Sequence, residues 1–374
     1  MKMRLPLKLE NNMSILFDEE RTKRLVETLE KTIYENSWIN DLNFAKSVME
    51  VQEIKANNNI EGYFDNVELI NAIINNPNAI KNDEIRKRIL NLYRGYRFIL
   101  GNCDINKDSL RELYNVLSNG LVSDDDIMEM GTYYRKNMVY IHDSIYADAI
   151  PDHGVQSCNI DYLMNCLFGY IDSQVSNDLM TNYFIRSQIA HFYFVYIHPY
   201  YDINGRTART TAMWYLLNNN CYPFIIFNRG ISNDKKNYYR KIKQTKASSD
   251  VTPFVCYMLD TVLMELEKES VIHSIVVNSL DKFSTLDYQS LNYLLSIKGL
   301  KTILDFVTYY MGKNDKIKVK EIIETMLMPL VDKKIIVLKR PTNKVIYPGM
   351  NNYVIEFNES KIALDRSRLR KLTF

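Results

Sequence analysis

The segment His198–Arg209 reads His-Pro-Tyr-Tyr-Asp-Ile-Asn-Gly-Arg-Thr-Ala-Arg and brings together a base, a carboxylate, an amide and two guanidinium groups. Apolar residues recur at helical spacing on both sides of it, which predicts a loop that turns into a helix. The backbone N–H groups at the start of a helix are free to bind an anion. The segment therefore predicts phosphate chemistry.

Two residues of the loop have the right chemistry for a reaction. His198 ends the leading helix, and with a pKa near the usual value of about 6.5 its imidazole takes a proton from a hydroxyl group at neutral pH. Asp202 is the only carboxylate in the loop. Magnesium is usually held by one or two carboxylates together with phosphate oxygens, so Asp202 is the candidate metal ligand.

The following residues suit a bound phosphate chain. Gly205 allows the backbone to approach a ligand closely, and Asn204 can donate to a phosphate oxygen. Arg206 and Arg209 lie three residues apart on one helix face near its positive end, an arrangement that suits a di- or triphosphate. Each residue alone also fits a turn, a helix stop or a solvated face. The ordered set predicts a site.

This set resembles the signature of the Fic (Fic/Doc) family, H-P-F-x-D/E-G-N-G-R-x-x-R. The matching residues are His198, Pro199, Asp202, Asn204, Gly205, Arg206 and Arg209. Most members of the family are protein AMP transferases, which move AMP from ATP to a Ser, Thr or Tyr hydroxyl of a target protein and use Mg²⁺. The resemblance extends over residues 20–270.

The resemblance implies a role for each matched residue. His198 is the base, Asp202 is the Mg²⁺ ligand, and Arg209 binds the γ-phosphate of ATP. The other phosphate contacts are assigned to Asn204, Gly205 and Arg206. Paired tyrosines in a segment after the loop resemble the family residues that flank the adenine, so Tyr238 or Tyr239 is expected at the base.

Two residues differ from the signature. Tyr200 replaces the usual Phe and adds a hydroxyl that needs a partner if it is buried. Ile203 replaces Gly or Ala, so a branched side chain lies in the phosphate loop. If the Ile203 side chain points into the core, its amide still serves a phosphate. If the loop needs a positive φ there, nucleotide binding is disfavoured.

Two other segments resemble regulatory and target-binding parts of the family. Residues 138–144 resemble the β-hairpin flap that aligns the target segment by adding a strand beside it. Asn57–Gly62 resembles the inhibitory motif S/T-x-x-x-E-G/N, with Asn57 in the place of Ser or Thr. This implies that Glu61 pairs with Arg209 and keeps the γ-phosphate out, within one chain or across a dimer.

The periodicity predicts a mostly helical Fic-type bundle with a short hairpin flap and a C-terminal winged-helix-like α+β module. The expected domains are an N-terminal helical region (1–120), a catalytic core (121–278) and the C-terminal module (279–374). In that module we expect helices at 288–297, 302–310 and 319–328 and strands at 334–338 and 344–347. Residues 331–374 contain ten Lys/Arg and four Asp/Glu, so DNA contact there stays open.

The composition excludes several classes of protein. The 374 residues are 46% apolar and 25% charged, with a net charge of +2, which is typical of a globular protein. The five cysteines are widely spaced, so neither a disulfide framework nor a zinc site is indicated. The N-terminus lacks a signal peptide's apolar core, and no apolar run reaches the roughly 18 residues of a membrane span. A cytoplasmic protein without membrane contact is expected.

Other functions remain compatible with this sequence. Relatives on the same fold remove AMP or transfer other phosphate-containing groups, and in an AMP remover Glu61 orients water. A nucleotide-sensing regulator that binds DNA through the C-terminal module is an alternative of another class. The sequence also leaves a homodimer open.

Overall fold

The computed structural model describes residues 2–79, 81–101, 104–141, 152–175 and 179–279, with short pieces at 301–302, 324, 328, 336–339 and 354–357. Contacts divide the chain into two compact units, Met1–Leu266 and Glu267–Phe374. The three domains expected from the sequence, 1–120, 121–278 and 279–374, stay a prediction.

The first unit begins with an antiparallel hairpin of β1 (Met3–Lys8) and β2 (Ser14–Phe17). Its alternating apolar side chains are buried in the core, including Leu5, Leu7 and Ile15. The sequence analysis did not predict these strands. Pro6 obscures the pattern because proline cannot donate to a strand ladder, and the pairing is irregular between Arg4 and Lys8.

Helices make up most of the rest of this unit, as their 3.6-residue apolar periodicity predicts. Six precede a short hairpin: α1 (Lys23–Glu35), α2 (Leu42–Ile60), α3 (Val67–Asn75), α4 (Asp83–Ile99), α5 (Lys107–Ser118) and α6 (Asp124–Glu129). The hairpin pairs β3 (Tyr140–Ile141) with β4 (Asp152–His153), antiparallel. Six α-helices begin after it: α7 (Ser157–Asp172), α8 (Met180–Ile197), α9 (Asn204–Asn218), α10 (Phe227–Asn233), α11 (Lys235–Ser248) and α12 (Thr252–Ser279), the last of which continues beyond Leu266. The predicted helical bundle with a short hairpin is confirmed.

Helices α8 and α9 form the centre of the bundle and pack against each other. Both are buried on nearly all sides, so their buried residues surround the helix rather than forming a single stripe. Trp214 of α9 and Phe192 of α8 are fully buried. The segment 198–203 connects these two helices and is therefore held from both ends by the core.

In the second unit the described residues include a three-stranded antiparallel sheet in the order β5 (Lys301–Thr302), β7 (Val354–Phe357) and β6 (Ile336–Lys339). Strand β6 overlaps the strand predicted at 334–338. The strand predicted at 344–347 lies outside the described residues. So do the helices predicted at 288–297, 302–310 and 319–328, apart from Thr302 in β5 and the helical residues 324 and 328. The winged helix stays a prediction.

Across the described residues, no helix combines the length and the apolar character needed to cross a membrane.

Candidate functional site

The loop between α8 and α9 is bounded by two residues in the left-handed region. His198 ends α8 with φ 53° and ψ 61°, and its backbone N–H donates to Phe194. Ile203 precedes α9 with φ 62° and ψ 11°. A β-branched residue rarely adopts a positive φ, and this conformation costs about 1–2 kcal/mol. The core packing holds the loop in this shape despite that cost.

His198 is oriented as a base. Its Nδ1 lies 3.3 Å from the carbonyl oxygen of Val195, which can only accept, so the ring proton belongs on Nδ1 and Nε2 is left to take a proton. Burial lowers the pKa of His198 to about 4, with help from the nearby cation of Lys246. The imidazole is therefore neutral at pH 7.

Arg135, just before the hairpin, ties the His198 loop to the flap. Its side chain is 2% exposed and donates to three backbone carbonyls: Nε to His198 at 2.8 Å, Nη1 to Asn137 at 2.6 Å and Nη2 to Val155 at 2.5 Å. Its backbone N–H also donates to Pro199. One guanidinium thus fixes the base loop and both ends of the flap, a role that the sequence analysis missed.

Asp202 and Ile203 form the turn into α9. Oδ1 of the exposed Asp202 accepts the N–H of Ile203 at 2.6 Å, which leaves Oδ2 for a ligand. The Ile203 side chain is 6% exposed and lies in the core. Both conditions considered for Ile203 are therefore met at once: its side chain is buried, and its φ is positive. Its amide is bound to Asp202 and does not face a phosphate.

Asn204 closes the loop rather than projecting from it. Its Oδ1 accepts from the N–H of Tyr200 at 2.9 Å, and its Nδ2 donates to the Tyr200 carbonyl at 2.8 Å. The Asn204 side chain is 2% exposed. The ring of Tyr200 stacks on Tyr114 with centroids 3.7 Å apart, and the buried Tyr200 hydroxyl has no partner within the described ranges.

Glu61 reaches the start of α9 from the end of α2. The helix ends in a Schellman turn, in which Gly62 has φ 91° and Tyr63 N–H donates to the Asn58 carbonyl at 3.0 Å. This turn directs the Glu61 carboxylate towards Gly205, where an added Cβ would lie 2.9 Å from Glu61 Oε1. Gly205 therefore leaves room for the Glu61 carboxylate, which a larger residue would displace.

Arg209 is 1% exposed and is held by two residues of α2's C-terminal end. Its Nη2 donates to the Glu61 carboxylate, and its Nε and Nη2 both donate to Oδ1 of Asn57, at 3.1 and 2.7 Å. Burial raises the pKa of Glu61, but the charges of Arg209 and Arg206 outweigh it, so the pKa is lowered and the carboxylate is ionised. The contact lies within one chain.

Arg206 differs from Arg209 in its partners. Its guanidinium lies 5.5 Å from the ring centroid of Tyr63, and Arg88 covers the same ring at 3.8 Å. Its Nε has no hydrogen-bond partner in the part of the chain that is described. Arg206 thus lies over the Tyr63 ring and acts on the Glu61 carboxylate through its charge, without a hydrogen bond to it of the kind that Arg209 makes.

The two tyrosines predicted at the adenine differ in burial. Tyr238 is 1% exposed, and its hydroxyl lies 2.9 Å from Nε2 of His191 inside the core. Tyr239 is half-buried, and its hydroxyl donates to the carbonyl of Ile60 at 3.4 Å. Tyr239 thus lies beside the end of α2 that carries Glu61.

The structure brings the predicted residues together around the start of α9. Among the described residues, no three His, Cys, Asp or Glu side chains are grouped to hold a metal ion. A magnesium ion at Asp202 would therefore need phosphate oxygens as its other ligands, which is its usual mode of binding. Sequence reasoning did not identify the contacts of Asn57, Tyr63 and Arg135.

Comparison with known proteins gives a consistent answer. Residues 104–216 match the model of the Fic/DOC family. A protein adenylyltransferase Fic from Drosophila mojavensis is 32% identical over 131 residues, 35% of this chain and 23% of that protein. Its namesake from Aedes aegypti is 25% identical over 261 residues, 66% of this chain and 49% of that protein. The chain thus spans less than half the length of these relatives.

Among solved structures, a Fic family protein from Desulfovibrio desulfuricans G20 is similar with a TM-score of 0.56 and 19% identity, over 90% of this chain and 95% of that one. At this identity the similarity concerns the fold.

Proposed function

We propose that this chain, in which residues 104–216 match the Fic/DOC family model, is a Fic family protein that transfers AMP from ATP to a Ser, Thr or Tyr hydroxyl of a target protein. One observation carries the proposal. A neutral His198, with Nε2 free to accept a proton, lies at the entrance of a helix start that holds the guanidinium groups of Arg206 and Arg209. A base beside a triphosphate-sized cationic site suits nucleotidyl transfer.

In this reaction Nε2 of His198 takes the proton of the target hydroxyl. The oxygen then attacks the α-phosphorus of ATP, the bond to the β-phosphate oxygen breaks, and pyrophosphate leaves. Arg206 and Arg209 take up the charge that develops on the leaving group. Arg135 keeps the base in place by holding the His198 carbonyl at 2.8 Å.

Asp202 would hold the magnesium ion through its exposed carboxylate. When bound, the ion supplies positive charge to the phosphate oxygens. The hydrogen bond from Ile203 N–H orients the carboxylate and leaves Oδ2 available. Asn204 supports this arrangement by closing the loop, and the backbone at Gly205 gives room to the phosphates.

Glu61 restrains the reaction in this proposal. Its ionised carboxylate occupies a donor of Arg209 and adds negative charge where the γ-phosphate would bind. A triphosphate then has to displace Glu61 or bind in a shifted, unproductive position. Of the two candidate adenine contacts, we assign the base to Tyr239, because Tyr238 is enclosed in the core.

The hairpin of β3 and β4 is proposed to align the target by adding a strand beside it. The segment that leads into β3 supports this by contacting the base loop, since the hydroxyl of Tyr201 accepts the N–H groups of Lys136 and Asn137, each at 3.2 Å. Cytoplasmic location, a homodimer and DNA contact through 279–374 stay predictions.

The test is intact-mass spectrometry of the full chain after incubation with ATP and Mg²⁺. Three proteins are compared: the unmodified chain, Glu61→Gly, and Glu61→Gly with His198→Ala. We expect added AMP units only on Glu61→Gly. If no protein modifies itself, each of the three is incubated with α-labelled ATP and a cell lysate. Label should then be transferred to lysate proteins only by Glu61→Gly.

Other outcomes of this test would redirect the proposal. An added phosphate in place of AMP would show phosphoryl transfer. If the unmodified chain removes label from an AMP-modified target and Glu61→Gly does not, the reaction is AMP removal. If the His198→Ala double variant is as active as Glu61→Gly, His198 is not the base.

A further inference from the structure

Asn57 makes a second contact from α2 to Arg209, independent of Glu61. Its Oδ1 accepts from both Nε and Nη2 of Arg209. Its Nδ2 donates to the hydroxyl of Tyr96 at 3.1 Å, and that hydroxyl donates to the Glu53 carbonyl at 3.4 Å. Because Arg209 can only donate, the amide of Asn57 has one orientation, and this chain of hydrogen bonds fixes it.

The two contacts differ in charge and in mobility. Glu61 is ionised, 27% exposed and follows the last residue of α2, so a local change at the Gly62 turn can withdraw it. Asn57 is neutral, fully buried and one turn back inside the helix. The neutral oxygen of Asn57 orients the Arg209 guanidinium and leaves its positive charge in place. The Glu61 carboxylate orients the guanidinium and also neutralises its charge.

We propose that Asn57 is a positioning residue that keeps the Arg209 guanidinium directed at the γ-phosphate of ATP once Glu61 has withdrawn. This inference rests on the proposed function, because it takes the ligand of Arg209 to be that phosphate. Release of the restraint then needs only the turn after Ile60 to move, while α2 stays bound to α9 through Asn57.

The test uses the full chain with Glu61→Gly, to which either Asn57→Ala or Asn59→Ala is added. Asn59 is the matched control, since it lies on the same helix and its Oδ1 has no partner in the described segments. Affinities for ATP and ADP are measured by titration calorimetry, with the KM for ATP in AMP transfer. Thermal melting confirms that each variant is folded.

We expect Asn57→Ala to weaken ATP binding about tenfold, because a charge-assisted contact that orients Arg209 is lost. ADP lacks the γ-phosphate, so its affinity should change less than about twofold, and Asn59→Ala should leave both affinities unchanged. A structural defect would weaken ATP and ADP alike. That result, or an Asn57→Ala protein with unchanged ATP affinity, would overturn the inference.

Asn57→Asp gives a second, opposite test in the same background. An aspartate there places a carboxylate against Arg209 and should reimpose the restraint, with weaker ATP binding and slower AMP transfer than in Glu61→Gly alone. Unchanged ATP binding in Asn57→Asp would count against the inference. If ATP binding depends on Asn57 but no AMP is transferred, the proposed reaction fails and the positioning role stands. If no variant binds ATP, both fail.

Discussion

The His198 side and the Arg209 side of the site are held in opposite ways. His198 is fixed through its backbone by Arg135, which precedes the flap, and its ring makes one hydrogen bond, from Nδ1 to the Val195 carbonyl. Arg209 is fixed through its side chain by Asn57 and Glu61, which lie 152 and 148 residues away along the chain. The proposed base is thus oriented for reaction, whereas the proposed anion site is occupied by side chains of the protein itself. Five changes can break or sharpen this contrast.

The largest effect is expected when the His198 side loses Arg135. Arg135→Met leaves three buried carbonyls without their donor, which should lower the free energy of unfolding by about 3 kcal/mol. AMP transfer by the Glu61→Gly protein should fall at least about tenfold, because the base loop and flap lose their common support. Urea denaturation and initial rates measure the two effects.

Arg111→Met is the matched control for that change. Arg111 makes a comparable hydrogen bond, from Nη1 to the Tyr133 carbonyl at 2.9 Å, without touching the base loop. It should cost stability but little activity. Equal losses of activity in both variants would mean that Arg135 has no special role.

The pH dependence follows from the lowered pKa of His198, which is about 4 because of burial and Lys246. AMP transfer by Glu61→Gly should be flat between about pH 8 and pH 5 and fall with a midpoint near 4. The neutral ring also favours the folded state above its unfolded pKa of about 6.5, and this stability is lost as the pH falls towards 4. Initial rates, with circular dichroism at each pH, check this; an acid midpoint near 6.5 would contradict it.

On the Arg209 side, Glu61→Gln keeps the shape of the side chain and removes its charge. Arg209 then keeps neutral acceptors but is buried without the opposite charge of Glu61, so the free energy of unfolding should fall by about 2 kcal/mol at pH 7. Since the pKa of Glu61 is lowered, this difference should shrink as the pH falls through that pKa. Urea denaturation at several pH values measures it.

Glu84→Gln provides the comparison, because the Glu84 carboxylate is 71% exposed and screened by solvent, although it lies 3.9 Å from the buried Arg88. Its removal should change stability by less than about 0.5 kcal/mol. If Glu61→Gln is equally mild, the carboxylate does not hold Arg209.

A stabilising change is expected at Tyr200, whose buried hydroxyl has no partner among the described residues. Tyr200→Phe should raise the free energy of unfolding by about 1 kcal/mol while the stack on Tyr114 is kept. Tyr193→Phe should do the reverse, because the Tyr193 hydroxyl donates to the Lys8 carbonyl. Thermal melts of both variants measure the two changes in stability. A lower Tm for Tyr200→Phe would mean that the Tyr200 hydroxyl has a hydrogen-bond partner.

The smallest effect concerns the backbone at Ile203. At a position with negative φ, glycine is less stable than alanine by up to about 1 kcal/mol. At φ 62° the order should reverse, so that Ile203→Gly is more stable than Ile203→Ala by about 1 kcal/mol. Urea denaturation of Ile203→Gly and Ile203→Ala measures this difference. If Ile203→Ala is the more stable of the two, the left-handed turn relaxes in the variants.

The central part of the fold was predictable because its signals are local. The helical periodicity on both sides of His198 and the ordered residues up to Arg209 predicted the loop, the helix and their place in a helical bundle. The flap was predicted from the resemblance of residues 138–144 to the family hairpin. The pairing of Tyr140 with His153 confirms a short hairpin there, while residues 142–144 lie outside the described residues.

The remaining features depend on contacts between distant residues. Nothing near Arg135 in the sequence indicates that it donates to His198, 63 residues away. Asn57 looked like a departure from the inhibitory motif, yet its amide is a close acceptor for Arg209. At Ile203 the sequence posed two alternatives, and only the backbone shows that they coexist: the core takes the side chain while the turn keeps its positive φ.

The contact between Glu61 and Arg209 joins two parts of a single chain, and this sets how the proposed restraint responds to concentration. An intramolecular carboxylate has an effective concentration that dilution of the protein cannot change. ATP would compete with it at a fixed disadvantage, so its apparent affinity falls by the fraction of molecules in which Arg209 is uncovered. An activator of the proposed reaction would therefore raise that fraction rather than separate two subunits.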